Sequence, residues 1–168
     1  MIKKINEKFP HTGDILIRVW NKKLKKFTFK KILNNQITNS ARDELIKPLY
    51  GATPDMNVAF LAVGTGTTSP AATDNALVLE TFRVADTDLN RTDVGQVTSE
   101  FVLDGLDYIA EVAAGTISEI GFFAGSGAAA WGAGAGKDTG LLISRVLFSY
   151  TITVDEEIYF QRVDSITV

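Results

Sequence analysis

Cysteine is absent from this chain, which removes disulfides, thiolate metal sites and thiol nucleophiles together. Histidine is nearly absent. The one imidazole, His11, lies in the N-terminal lead-in, a poor place for the positioned base of a Ser–His–Asp relay. A zinc site would draw on several His or Cys ligands, and neither a metal nor a cofactor is expected. No apolar run approaches the ~20 residues that span a bilayer as a helix, so no membrane association is expected. The start, Met1-Ile2-Lys3-Lys4-Ile5-Asn6-Glu7-Lys8, is basic but lacks the apolar segment and small-residue cleavage site of a secretory signal. The expectation is assembly in a cytoplasm.

What remains is an ordinary globular composition with an uneven charge. The 168 residues are 45% apolar with a mean hydropathy of +0.09, enough for one domain with a substantial core. Residues 1 to 31 carry ten Lys or Arg against Glu7 and Asp14, a local charge of +8. The other residues carry seven basic and eighteen acidic groups, a charge of −11. Such polarity can steer one surface onto an oppositely charged neighbour, including another copy of the chain.

Along the chain, residues 1 to 14 read as an irregular arm. Asp14-Ile15-Leu16-Ile17-Arg18-Val19-Trp20 and Phe27-Thr28-Phe29-Lys30 read as two strands by their β-branched and aromatic content. Between them Lys22, Lys23, Lys25 and Lys26 crowd a turn. These four lysines either guard an open sheet edge against stray pairing or contact an acidic protein surface. A capped helix is predicted over 40–47, with Asp43 and Glu44 in its first turn and Pro48 stopping it. Beyond Met56, strands are predicted over 57–63, 77–84, 94–103, 107–113, 116–123, 140–153 and 157–167. Nine or so short strands with Gly, Asp and Asn at the breaks predict an antiparallel β-sandwich or barrel. Residues 1–35 would form a basic arm and hairpin, 36–168 the sandwich, together one continuous unit. Gly125–Gly136, rich in glycine and alanine, reads as a long connection whose Trp131 plugs a groove of its own or of a neighbour.

Several stretches imitate known chemistry without completing it. Gly64-Thr65-Gly66-Thr67-Thr68 offers consecutive backbone N–H groups but lacks the phosphate-loop lysine and a following helix, so a structural turn is expected. Asp86-Thr87-Asp88-Leu89-Asn90 starts like a calcium loop, but Arg91 and Val97 stand where glycine and glutamate belong; a charged surface loop is expected. Asp104-Gly105 reads as a hairpin turn. Glu80, Glu100, Glu111 and Glu119 could supply a glycosidase carboxylate pair only if two converged at about 5 to 9.5 Å. Trp20, Phe27 and Phe29 flank the lysines as a nucleic-acid site would require, but aromatics in a hairpin more often form a buried face.

Glu80 and Glu119 fall in apolar strands, where an unpaired carboxylate is costly, and Arg83 and Arg145 occupy similar contexts. The four are expected to form ion pairs, within the chain or between subunits. Three blocks then stand out in order: Val63-Gly64-Thr65-Gly66-Thr67-Thr68-Ser69-Pro70 with Leu79-Glu80-Thr81-Phe82-Arg83, Ile117-Ser118-Glu119-Ile120-Gly121-Phe122-Phe123, and Leu141-Leu142-Ile143-Ser144-Arg145. This ordered set, over about residues 36 to 153, resembles small tailed-phage virion proteins of the tail-fibre or collar anchor type. The resemblance implies a non-enzymatic adaptor in the virion, joined to other virion proteins and oligomeric, with a trimer favoured. A chain stopping at Val168 is short for a complete fibre, so a collar or adaptor piece is expected. A capsid decoration or head-fibre anchor protein is the nearest alternative. A carbohydrate-binding sandwich using Trp20, Trp131, Tyr108 and Tyr159 is a second. Nucleic acid is not an expected partner.

Overall fold

A computed structural model of the chain describes residues 11–86, 88–93, 96–132 and 134–166. The arm at 1–10 lies outside them, as do Thr87 and the predicted strand limits at 94 and 167. Two five-stranded antiparallel sheets pack face to face. One runs in the order β2-β1-β10-β7-β6, from β1 (His11–Asn21), β2 (Lys26–Asn34), β6 (Asp88–Asp93), β7 (Gln96–Asp104) and β10 (Glu156–Ile166). The other runs β3-β9-β8-β4-β5, from β3 (Gln36–Ile37), β4 (Val58–Gly64), β5 (Glu80–Ala85), β8 (Thr116–Ala124) and β9 (Leu141–Thr151). These are called the first and second sheets below. The fold is mainly β and sandwich-like, as the turn spacing predicts.

Period-two alternation decides what each sheet buries. Ile15, Ile17 and Val19 of β1, Phe101 and Leu103 of β7, and Ile158 and Phe160 of β10 are fully buried. They meet Leu61 and Val63 of β4 and Ile120 and Phe122 of β8 in one core. Phe101 and Phe122 touch edge to face at 5.5 Å across the gap. The second sheet is buried on its other face too. Ala62, Phe123 and Leu142 turn away from that core and pack under Leu77, in a separate small cluster. Leu77 comes from the connection between β4 and β5, which lies over the sheet. Gly121 makes room for it: a Cβ there would sit 2.7 Å from a Leu77 methyl. Burial on both faces explains why β8 reads as an almost unbroken apolar run.

The first strand lies inside its sheet, between β2 and the central β10. β1 pairs with β10 from His11↔Ile166 to Asn21↔Glu156 and with β2 on its other side. His11 therefore opens a strand instead of sitting in a loose arm. The predicted second strand is longer than expected, because Lys31, Ile32 and Leu33 continue the pairing with β1.

Helix α1 (Asn39–Ile46) is capped by Thr38, whose Oγ1 accepts the Ala41 N–H at 3.2 Å. Starting at Asn39, the helix places Asp43 and Glu44 beyond its first turn, a correction to the dipole argument. Pro48 does not end the helical run at once; a 3₁₀ turn over Lys47–Tyr50 follows, closed by Gly51 at φ 81°. The strand predicted over 107–113 is in fact a second helix, α2 (Gly105–Val112). Asp104-Gly105 is its start and no hairpin: Asp104 Oδ1 accepts the Leu106 N–H at 2.8 Å. Gly105 is required there because a Cβ would strike the Thr153 carbonyl oxygen at 2.0 Å. The stretch read as a charged calcium-like loop is largely strand β6, paired with β7.

Candidate functional site

The four charged residues of the apolar strands lie in two buried pairs on the outer face of the second sheet. Arg145 Nε donates to Glu119 Oε2 at 2.7 Å, with side chains 2% and 0% exposed. Arg83 forks onto Glu80, Nε to Oε1 at 2.7 Å and Nη2 to Oε2 at 2.8 Å. Both pairs are intramolecular. A buried pair of this kind is tolerable only when its remaining donors and lone pairs are also satisfied, and here each node does so by gripping a long connection.

Glu119 holds the β4–β5 connection. Its carboxylate accepts backbone N–H groups from Gly66 at 3.0 Å, Val78 at 3.1 Å and Leu79 at 2.8 Å. Arg145 completes the clamp, donating to the Thr68 carbonyl at 2.7 Å and to Asp74 at 2.9 Å. Burial alone would lower the Arg145 guanidinium, but the Glu119 and Asp74 carboxylates outweigh it and hold its pKa above the ordinary value. Of the glycine-threonine turn, the Gly66 N–H meets an anion, and the anion is the protein's own carboxylate. Gly66 has no space for a side chain, since a Cβ would lie 2.4 Å from Glu119 Oε1.

Arg83 holds the β8–β9 connection. Its Nη1 donates to the carbonyls of Ala129 at 3.2 Å and Thr139 at 3.0 Å, and to Thr139 Oγ1 at 3.1 Å. Glu80 accepts the Asp138 N–H at 3.1 Å. The guanidinium also lies 4.4 Å from the ring centre of Phe123, a cation–π contact that offsets part of its desolvation. Trp131, in the same connection, is half-buried against Phe82 at 5.6 Å, with Nε1 3.5 Å from Glu111.

Glu80 and Glu119 flank Gly64 in register, two strand spacings or ~10 Å apart along the sheet. Each is closed over by its own arginine and by backbone donors. Glu100 lies on the outer face of the first sheet, 3.6 Å from Arg18, and Glu111 is on α2. The four carboxylates do not converge. Among the described residues no group of three His, Cys, Asp or Glu side chains is placed to hold a metal, and no helix is long and apolar enough to cross a membrane.

The lysine cluster divides. Lys22 reaches across β10 to Asp104 at 2.5 Å and Glu157 at 3.6 Å. The Asp104 contact is the main reason its pKa lies above the ordinary value. Lys23 pairs with Asp155 at 2.5 Å. Lys25, at φ 51°, and Lys26 are exposed. Beside them, the outer face of the first sheet carries an aromatic strip. Phe27 contacts Trp20 at 5.2 Å and Tyr159 at 5.9 Å, and Arg18 lies over the Phe27 ring at 5.2 Å. Phe27 is 48% exposed and Trp20 only half-buried, which corrects the expectation that Phe27 belongs to a buried face; Phe29 does turn inward, onto Phe148 and Tyr150. Of the four aromatics considered for sugar stacking, Tyr108 is excluded: it is fully buried and bonded to the Thr116 carbonyl. Trp20 and Tyr159 share a face.

Sequence reasoning missed Asp74 and Thr139, which finish the two nodes. Both lie in connections, where no periodicity distinguishes one polar residue from the next. Compared with family models, curated proteins and solved structures, the chain finds no match.

Proposed function

We propose that this chain is a non-enzymatic structural subunit of a tailed-phage virion, an adaptor of the tail-fibre, collar or neck type. In this reading it assembles in the host cytoplasm, forms a homo-oligomer, with a trimer favoured, and docks on other virion proteins. One observation carries the reading. The residues behind the resemblance, among them Gly64, Gly66, Glu80, Arg83, Glu119 and Arg145, are spent on one buried array that pins two long connections to the second sheet. Such a signature encodes a rigid scaffold, and it leaves the first sheet to face outward. Peptide mass spectrometry of purified particles tests this: the chain should be present at a fixed copy number. Its absence from mature particles would overturn the reading. Recovery with isolated heads instead of tails would select the capsid-decoration or head-fibre alternative.

The Trp20–Phe27–Tyr159 strip favours one second reading, a glycan-binding sandwich. Binding to a glycan array that is lost in Trp20→Ala and kept in Trp131→Ala would support it.

A further inference from the structure

The two sheets have four edges, at β2, β3, β5 and β6, and they differ: β6 is six residues long and mixes Asp88 and Asp93 with Arg91. The β3 edge is two residues long. The β5 edge packs through Phe82 on Tyr108 of α2 and on Trp131. β2 is another matter. It offers nine residues, Lys26–Asn34, which among the described residues pair with β1 alone and carry one bulge at Thr28, so one row of its backbone N–H and C=O groups faces outward. Sheet edges are normally kept short, bulged or covered, and past its one bulge β2 still runs regularly from Phe29 to Asn34.

We infer that β2 is an acceptor edge for an extended segment of another polypeptide, one that alternates acidic and apolar residues; this rests on the docking role proposed above. Lys26, Lys30 and Lys31 are exposed on β2, the strand contains no acidic residue, and exposed Lys25 adjoins it. Lys22 and Lys23, by contrast, are already paired within the chain. Phe27 and Ile32 are 48% and 60% exposed, more than an edge needs if its lysines serve only to repel. Register places Phe27 beside Trp20, Lys30 beside Arg18 and Ile32 beside Leu16. An added strand would continue that face, setting a carboxylate near Lys30 and aliphatic groups near Phe27 and Ile32, while main-chain hydrogen bonds supplied affinity. A second copy pairing β2 to β2 would set lysines against lysines, which is destabilising across strands.

The test uses the full chain and a capped nine-residue peptide alternating Glu with Val, against a Lys/Val peptide as control, read by hydrogen exchange and Trp fluorescence. The expected result is binding of the acidic peptide alone, slowed exchange at alternate β2 amides, and weakening as salt rises. The double variant Lys30→Glu with Ile32→Glu, checked for unchanged circular dichroism, should lose at least tenfold in affinity. Lys25→Glu, in the turn, should lose much less. Equal binding of the Lys/Val peptide, no binding at millimolar peptide, or protection elsewhere would overturn the inference. So would β2 protection that rises with protein concentration alone, which would make a second copy the occupant. Particle mass spectrometry is unaffected by these outcomes, so this inference can fail while the virion reading stands.

Discussion

Removing the charge of Glu119 tests the central physical claim, that a buried pair holds the β4–β5 connection in place. Glu119→Gln keeps the shape but loses the carboxylate that faces four donors: Arg145 Nε and the N–H groups of Gly66, Val78 and Leu79. A glutamine has one acceptor oxygen, and each carboxylate oxygen meets two donors, so its NH₂ must face two of the four. It also leaves Arg145 buried with Asp74 as its remaining carboxylate. Breaking a buried pair on one side costs about 3–5 kcal/mol, a large part of the roughly 5–15 kcal/mol that holds a domain together. At ~2–4 °C per kcal/mol for a chain of this size, the melting temperature should fall by roughly 6–20 °C. Thermal and urea unfolding by circular dichroism read this directly. The double variant Glu119→Leu with Arg145→Met adds a sharper arm. Swapping an ion pair for apolar groups is often neutral, but here it would strand three backbone N–H groups at about 1–3 kcal/mol each, so the double variant should remain clearly destabilised. A loss under about 1 kcal/mol for Glu119→Gln, the scale of an exposed pair, would refute the reasoning.

Arg83→Lys should keep a charge but lose the fork onto Glu80 and the bonds to Ala129 and Thr139. Limited proteolysis should then cut within residues 125–140 faster than in the parent protein, with β-sheet circular dichroism retained. Gly105→Ala should fail to fold or lose several kcal/mol, since the obstacle is a carbonyl at 2.0 Å, whereas Gly127→Ala, with nothing within 4 Å, should be silent in urea unfolding. The Tyr150 hydroxyl is pushed up to about 12 by burial and then by its hydrogen bond to Glu156. Its folded pKa lies above the unfolded one, so its contribution is complete below pH 10 and is lost as pH rises towards 12; Tyr150→Phe should flatten the alkaline decline in stability over that window.

The sandwich was legible because strand alternation and turn residues are local signals. The charged quartet was legible because carboxylates and guanidinium groups rarely stand in apolar strands unpaired. Which residue pairs with which was not: Glu80 and Arg83 are three apart on one strand, whereas Glu119 and Arg145 meet across the β8–β9 pairing. Helix α2 was misread because Tyr108-Ile109-Ala110-Glu111-Val112 fits a short strand as well as part of a short helix. What decides it is Asp104 as cap, with Ala113 leaving the helix at φ 58°. β6 was missed because Asp88-Leu89-Asn90-Arg91-Thr92-Asp93 is polar at every position but Leu89, and pairing to β7 overrides that composition.

The neighbouring positions of β1 and β10 bear on how the chain is made. About 135 residues separate Asn21 from its partner Glu156, which at ~5–20 residues per second is roughly 7 to 27 s of ribosome time. Throughout that interval the β1–β2 hairpin must hold Ile15, Ile17 and Val19 without the strand that finally covers their flank. The second sheet, spanning Gln36 to Thr151, has all its strands before β10 emerges. The order of synthesis thus delivers the second sheet first and completes the first sheet when β10 enters between β1 and β7, so a nascent chain stalled before Glu156 presents a half-built hydrophobic face to whatever stands nearest.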